Sequence, residues 1–416
     1  MLVAKAPHHD CCEEPLLERG MSILLLAVCV PANIAPFHDW TSPPRHVEMP
    51  GWAGTEAVAH VVGTANREMQ MLPSLLSAEE AAALHDAALR CNAYDESEPD
   101  TVDKAPTFQT YLFEDGQPTS AAAEVAALLQ PIIDERILPY VRAKYNCPTA
   151  CLADALLRRY QPGERTALGL HYDIEAFATC IIPLSTQQQE DGPPSPDESS
   201  RGSASSARAH GLAAPLTSYQ GGLFVQGGAS RSSRRLVRFA TPGDCLIHQF
   251  DLMHGVEVGQ GTRFAIALWF SDSPRSRELG TAPWVRQAAD AGNPDAQFLQ
   301  ATFCAQGRFG NAKDESAAAA WLERGSVQGH AVSQLGLGRH QLGLGRADQA
   351  VTHFRRAAEQ GHVEAQYTLA LCYMEGMGAE VSKAEAARWL RRAVDEGGQF
   401  GEAAALELEE LTRTGV

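Results

Sequence analysis

Beyond Pro283 the chain repeats itself, and this repetition limits its possible folds more than any other feature. The stretches "AGNPDAQFLQATFCAQGRFG", "QGHAVSQLGLGRHQLGLG" and "QGHVEAQYTLALCYMEGMG" align on Gly292, Gly329 and Gly361, and Trp321, Phe354 and Trp389 stand in the helices that follow. A period of about 32 to 37 residues is the length of one helix-turn-helix unit of a solenoid. Glycine and alanine at fixed places let the two helices of a unit approach. Each unit then needs a neighbour to cover its apolar face, so the segment is expected to be an all-α stack.

From about Met69 to Ser273 the texture is different. Two helical stretches come first: "SAEEAAALHDAAL", where Ser77 and Glu80 form a capping box, and "SAAAEVAALLQPIIDERILPYVRAKY", which is expected to kink at Pro131. Short apolar runs follow, "ADALLRRY", "FATCIIPLS", "GGLFVQG", "RRLVRFA", "DCLIHQF" and "RFAIALWF", separated by Gly and Pro turns. Many short strands after two packing helices predict a double-sheet jelly roll. The expected fold class is α+β: a jelly roll over 69-275, then helical repeats over 284-411, with an N-terminal region of uncertain structure over 1-68. Thr186 to Ser218, rich in Ser, Pro, Gly and Ala, reads as a disordered insertion between two strands.

A formal charge of -17 makes the surface repel phosphate backbones and anionic lipid, so neither nucleic acid nor a membrane surface is an expected partner. The only dense basic run, Arg231 to Arg238, reads as a charged turn entering a strand. The apolar run Ile23 to Val30 is too short to span a bilayer and lacks the basic flank of a signal peptide, which weakly favours the cytoplasm over the secretory pathway. Ten dispersed cysteines, with only Cys11-Cys12 and Cys147-Cys151 close together, show no zinc-finger spacing.

The chemistry is concentrated in "GLHYDIEAFATCIIPLS", Gly169 to Ser185. On a strand, residues i and i+2 share a face, so His171 and Asp173 are expected side by side, with Phe177 and Thr179 continuing that face. His254, at a strand end before a turn, offers a third ligand, and Arg263 opens a strand nine residues later. Two imidazoles and one carboxylate make the facial triad of non-haem Fe(II) oxygenases, which leaves positions open for substrate and oxygen. A buried arginine adds a bidentate clamp for a carboxylate. His171 taken alone is a half-buried surface histidine. His248 competes with His254, but its distance to Arg263 makes it the weaker third ligand.

Over about Leu72 to Pro274 the chain resembles the Fe(II)- and 2-oxoglutarate-dependent dioxygenases, in particular the prolyl 4-hydroxylase-like branch. The likeness lies in "LSAEEAAAL", "LRRYQPGERTALGLHYD", "YQGGLFV" and "TPGDCLIHQFDLMHGVEVGQGTRFAIALWF". It implies that His171, Asp173 and His254 are iron ligands and that Arg263 binds the remote 2-oxoglutarate carboxylate. Tyr160 matches a family tyrosine that lines the cosubstrate pocket. By strand parity Trp269, six residues after Arg263, points into the same interior. Thr179 is a candidate to hydrogen-bond the cosubstrate, the alternative being simple strand propensity. Fe(II), 2-oxoglutarate and O2 would be required, with ascorbate as a candidate reductant. The position two beyond the clamp, often Ser in relatives, is Ala265. The retained carboxylate ligand Asp173 argues against halogenation.

The segment from about Trp284 to Leu411 resembles the Sel-one-like subgroup of tetratricopeptide-type repeats, most clearly in "AQYTLALCYMEGMG" and "AARWLRRAVDEGG"; the middle unit is shortened and lacks the central aromatic. That resemblance implies a scaffold holding a protein or peptide partner. Three readings remain: hydroxylation of a protein side chain, first of all peptidyl proline; a small-molecule hydroxylase of the same class; and an interaction protein with a vestigial barrel.

Overall fold

The computed structural model describes residues 57–62, 67–91, 100, 106–188 and 216–413. The apolar run at 23–30, the Cys11-Cys12 pair and most of the stretch read as an insertion lie outside the described residues. The first strands, β1 (Ala57–Val62) and β2 (Arg67–Leu72), lead to α1 (Ala78–Arg90). Its capping box is formed as the sequence requires: the Glu80 N–H donates to Ser77 Oγ at 3.1 Å, and the Ser77 N–H donates to Glu80 Oε2 at 2.8 Å.

Strands β3 (Gln109–Glu114) and β4 (Gln117–Pro118) precede α2 (Ala123–Ile132) and α3 (Leu138–Lys144). The expected kink at Pro131 takes another form. The helix passes through the proline and opens into a wide turn over Ile133–Ile137, where the Leu138 N–H reaches back to the Ile133 carbonyl.

The remaining strands are β5 (Cys151–Tyr160), β6 (Ala167–His171), β7 (Ala178–Pro183), β8 (Thr186–Gln187) and β9 (Ser218–Gln226). They are followed by β10 (Arg234–Leu236), β11 (Cys245–Gln249), β12 (His254–Gly261) and β13 (Arg263–Ser271). They form two sheets, an eight-stranded one in the order β1-β2-β11-β7-β13-β5-β3-β4 and a five-stranded one built on β10-β9-β12-β6. The parallel pairing of β8 with β9, Thr186 opposite Ser218, corrects the limits of the expected insertion, since both of its ends belong to a sheet.

Strand alternation on β13 separates the two faces of the larger sheet. Phe264, Ile266, Leu268 and Phe270 join the core against α1 to α3, whereas Arg263 and Trp269 share the opposite face. Between the sheets lies a second core containing Tyr160, Leu168, Ile181, Leu223, Val225 and Val256. This is the expected jelly roll with helices on one face.

After β13 come α4 (Pro274–Leu279) and α5 (Pro283–Asp290), then three helix pairs. These are α6 (Pro294–Gln306) with α7 (Glu315–Val327), α8 (Ala331–Gly343) with α9 (Ala347–Glu359), and α10 (Val363–Glu375) with α11 (Lys383–Glu396); α12 (Gly398–Arg413) covers the end. Trp321, Phe354 and Trp389 are all buried. The small-residue requirement is explicit at Gly338, where a Cβ would come within 2.5 Å of the Phe354 ring. The first pair does not stand apart from the jelly roll. Trp284, Val285, Phe303 and Trp321 belong to the same core as Phe177 and Phe270.

Candidate metal centre

β6 ends at His171, and β12 begins at His254 directly opposite it, with the two ring centroids 4.3 Å apart. Asp173 lies beyond the end of β6, so strand alternation does not place it. The chain turns there, closed by the Ala176 N–H on the Asp173 carbonyl, and brings the carboxylate back between the rings. Asp173 Oδ1 is 3.5 Å from His171 Nε2, and Oδ2 is 3.6 Å from His254 Nε2. One donor atom from each of the three residues lies within 4.8 Å of the others, a grouping that could hold a metal ion. The turn expected after His254 precedes it instead. Gly255 is inside β12, where a Cβ would meet Phe224 at 2.7 Å and the Leu168 carbonyl at 2.8 Å.

The same turn redirects Phe177. Rather than continuing the face of His171, it packs outward, edge-on to Tyr145 at 5.8 Å and to Trp284 at 6.1 Å. Thr179 does face the site, but its hydroxyl donates to Asp173 Oδ2 at 2.7 Å and so orients the carboxylate.

The ring tautomers follow from the backbone. His171 Nδ1 lies 2.9 Å from the Gly169 carbonyl, and His254 Nδ1 lies 3.0 Å from the Leu252 carbonyl. A carbonyl only accepts, so each Nδ1 carries a proton, and each Nε2 faces Asp173. His248 repeats the arrangement, with Nδ1 2.9 Å from the Gln249 carbonyl and Nε2 3.9 Å from Asp173 Oδ2, and its fully buried Nε2 has no hydrogen-bond partner. Burial pushes His254 down to about 3 and also lowers His248, keeping both neutral. Burial pushes Asp173 upward, but His254 and His171 outweigh it and hold the carboxyl well below its usual range. Burial opposes charge on His171, yet its contact with Asp173 raises it. Two imidazole nitrogens, once His171 Nε2 is free of its proton, and an ionised carboxylate are a donor set that a cation can complete.

Arg263 is buried, 2% exposed, and stands opposite Tyr160 in the β13–β5 register. Its Cζ is 5.5 Å from the Tyr160 ring and 5.8 Å from that of Tyr219 on the smaller sheet. Arg158 and Arg165 each have Asp100 at 3.2 Å. Among the described residues no carboxylate pairs with Arg263, and its Nε has no hydrogen-bond partner. Trp269 shares the Arg263 face and lies opposite Thr179, half-buried. Tyr219, whose buried hydroxyl is also unpartnered, is a pocket residue that sequence reasoning missed, although "YQGGLFV" begins with it.

The Sel1 repeat family matches residues 294–330, 331–362 and 363–398. The C-terminal helix pairs are Sel1 repeats. An uncharacterized protein of Neisseria meningitidis serogroup B is 32% identical over 130 residues, covering 30% of this chain and 26% of that protein, so the chain spans about a quarter of this curated relative's length. The jelly roll is similar to a 2OG-Fe(II) oxygenase-family oxidoreductase from Burkholderia pseudomallei (16% identity, TM-score 0.35, covering 49% of this chain and 85% of that one). It is also similar to a prolyl-4-hydroxylase from Pseudomonas putida (14% identity, TM-score 0.33, covering 50% and 93%).

The first Sel1 repeat reaches the loops that carry Asp173 and lead to His254. Tyr172, between His171 and Asp173, donates its hydroxyl to Asp295 Oδ1 at 2.5 Å. Asn293 Nδ2 donates to Asp251 Oδ2 at 2.6 Å, and Arg308 meets Glu175 at 3.3 Å on the surface.

Proposed function

We propose that this protein is an Fe(II)- and 2-oxoglutarate-dependent dioxygenase that hydroxylates a protein side chain, with peptidyl proline the first candidate. One observation carries the reading: a single barrel contains both the His171, Asp173 and His254 cluster and a buried guanidinium with no carboxylate partner among the described residues. A buried charge without a counter-ion is costly, so Arg263 calls for an anionic ligand while the histidine cluster calls for a cation.

His171, Asp173 and His254 would hold the iron. Arg263 would hold the far carboxylate of 2-oxoglutarate, with Tyr160 and Tyr219 as walls and Trp269 nearer the metal. Bound there, iron supplies the activation of O2 coupled to oxidative decarboxylation of 2-oxoglutarate. The chain's own residues orient and exclude. The Gly169 and Leu252 carbonyls hold the protons of the two rings, Thr179 fixes one Asp173 oxygen, and Leu168, Val225 and Val256 keep water from the barrel interior. A polypeptide substrate is supported by the prolyl 4-hydroxylase-like motifs and by Sel1 repeats, which commonly mediate protein interactions, lying against the ligand loops.

The test is anaerobic addition of 2-oxoglutarate to the Fe(II)-loaded protein, followed by admission of air with proline-containing peptides. A visible charge-transfer band, then succinate in step with a 16-dalton gain on the peptide, is the expected result. Absence of both a band and succinate would remove the assignment.

A further inference from the structure

We infer that the first Sel1 repeat is part of the metal centre's support, with Asn293 and Asp295 acting as positioning residues for the ligands Asp173 and His254. The inference rests on the iron reading above and adds to it a role for the helical module that is independent of any partner.

Both ligand-bearing segments leave the sheets where they approach the site. Tyr172 and Asp173 follow the end of β6, and Asp251 to Met253 precede the start of β12. There the regular ladder ends, apart from the Gln226 N–H on the Met253 carbonyl at 3.0 Å, so other contacts must help to fix the backbone. The first turn of α6 supplies them on both sides. The buried Asp295 accepts the Tyr172 hydroxyl at 2.5 Å from between the first two ligands. Asn293 holds Asp251 at 2.6 Å, one residue before Leu252, whose carbonyl fixes the His254 ring.

Asn293 is itself locked. Its Oδ1 accepts from the Asp295 and Ala296 N–H groups at 3.0 Å each, which leaves Nδ2 aimed at Asp251. His330, the last residue of the first repeat, stands 3.4 Å from the same Asp295 oxygen. A helix turn anchored in this way holds both loops at once, and groups that orient metal ligands from outside typically govern affinity by about 10- to 100-fold.

The test uses the full-length protein and Co(II) as the probe, read by its visible absorption and by titration. Tyr172→Phe removes one tie. Asn293→Asp keeps the helix-capping oxygen and sets a carboxylate against Asp251. Each is expected to weaken Co(II) binding about 10- to 100-fold and to alter the Co(II) spectrum, whereas Asp295→Asn, which keeps an acceptor for Tyr172, should stay near the parent. Arg308→Ala, at the exposed contact with Glu175, is the control for docking alone and should leave binding unchanged. If Asn293→Asp does not fold, Tyr172→Phe carries the test. Co(II) affinities within twofold of the parent in the folded variants would overturn the inference alone. A parent protein that takes up no Co(II) would overturn the iron reading and this inference with it.

Discussion

Arg263 lies over Tyr160 from the neighbouring strand, with 5.5 Å between the guanidinium carbon and the ring centroid, and Tyr219 approaches from the other sheet at 5.8 Å. Two aromatic rings offset only part of the cost of burying a cation, because each such contact contributes about 0.5 to 2 kcal/mol while desolvation costs several. In the proposed function the far carboxylate of 2-oxoglutarate would supply the remainder.

Arg263→Ala is therefore expected to weaken 2-oxoglutarate by roughly thirty- to several-thousand-fold, corresponding to loss of a charge-assisted contact of about 2 to 5 kcal/mol. Lysine should rescue part of this by restoring the charge without the fork. Iron affinity should stay constant. Titration of iron-loaded variants with 2-oxoglutarate decides it, and parent-like binding in Arg263→Ala would place the cosubstrate elsewhere.

His254 and His248 can be told apart as ligands. Their rings are 4.7 Å apart and each Nε2 faces Asp173, but only His254 shares a 4.8 Å cluster with both His171 and Asp173. His254→Leu and Asp173→Ala should each abolish tight Fe(II) binding. His248→Leu should retain it, and by removing an unsatisfied buried acceptor it should raise the melting temperature of the metal-free protein, a gain of about 1 kcal/mol. Equal loss of iron in His248→Leu would assign His248 to the metal.

Trp284 joins the jelly roll to the helices, buried against Phe177. Trp284→Ala should cost about 3 to 5 kcal/mol in urea unfolding, as expected for a large buried aromatic. Truncation before Trp284 should expose Phe177 and lose iron affinity. An isolated jelly roll with parent-like melting and iron uptake would contradict this.

His362 is expected to make the repeats acid-sensitive. It caps α10, accepting from the Ala365 N–H at 3.4 Å, and burial lowers its pKa to about 4. The unfolded chain takes up this proton near 6.5, so between 6.5 and 4 the unfolded state binds more protons and stability falls as the pH falls. About 2 kcal/mol should be lost between pH 7.5 and 5, with no change above pH 7.5 from this group. His362→Ser, a cap that does not titrate, should be less sensitive by that amount in urea melts at the two pH values.

Local rules made much of this legible. Ser77 and Glu80 announce α1, and the even positions of β13 announce the helix-facing core. That His171, Asp173 and His254 come together is readable from the sequence, but the geometry of their meeting is not. Alternation puts Asp173 and Phe177 on the face of His171, but the rule fails once the chain leaves a ladder and turns at 174–176. β12, with three glycines, gives little apolar signal, and so the sequence pattern does not show that it starts at His254. Asn293 and Asp295 reach the site from more than 120 residues after Tyr172, through docking that no local pattern encodes.

The oxygens that hold the three imidazoles belong to the main chain at Gly169, Leu252 and Gln249. Every amino acid carries that carbonyl, so no exchange of side chain at these positions deletes it. The protonation pattern of the rings is inherited with the path of the backbone. Saturation mutagenesis at 169, 252 and 249 would thus leave the hold on these rings invisible, and only a change that bends the strand ends would reveal it.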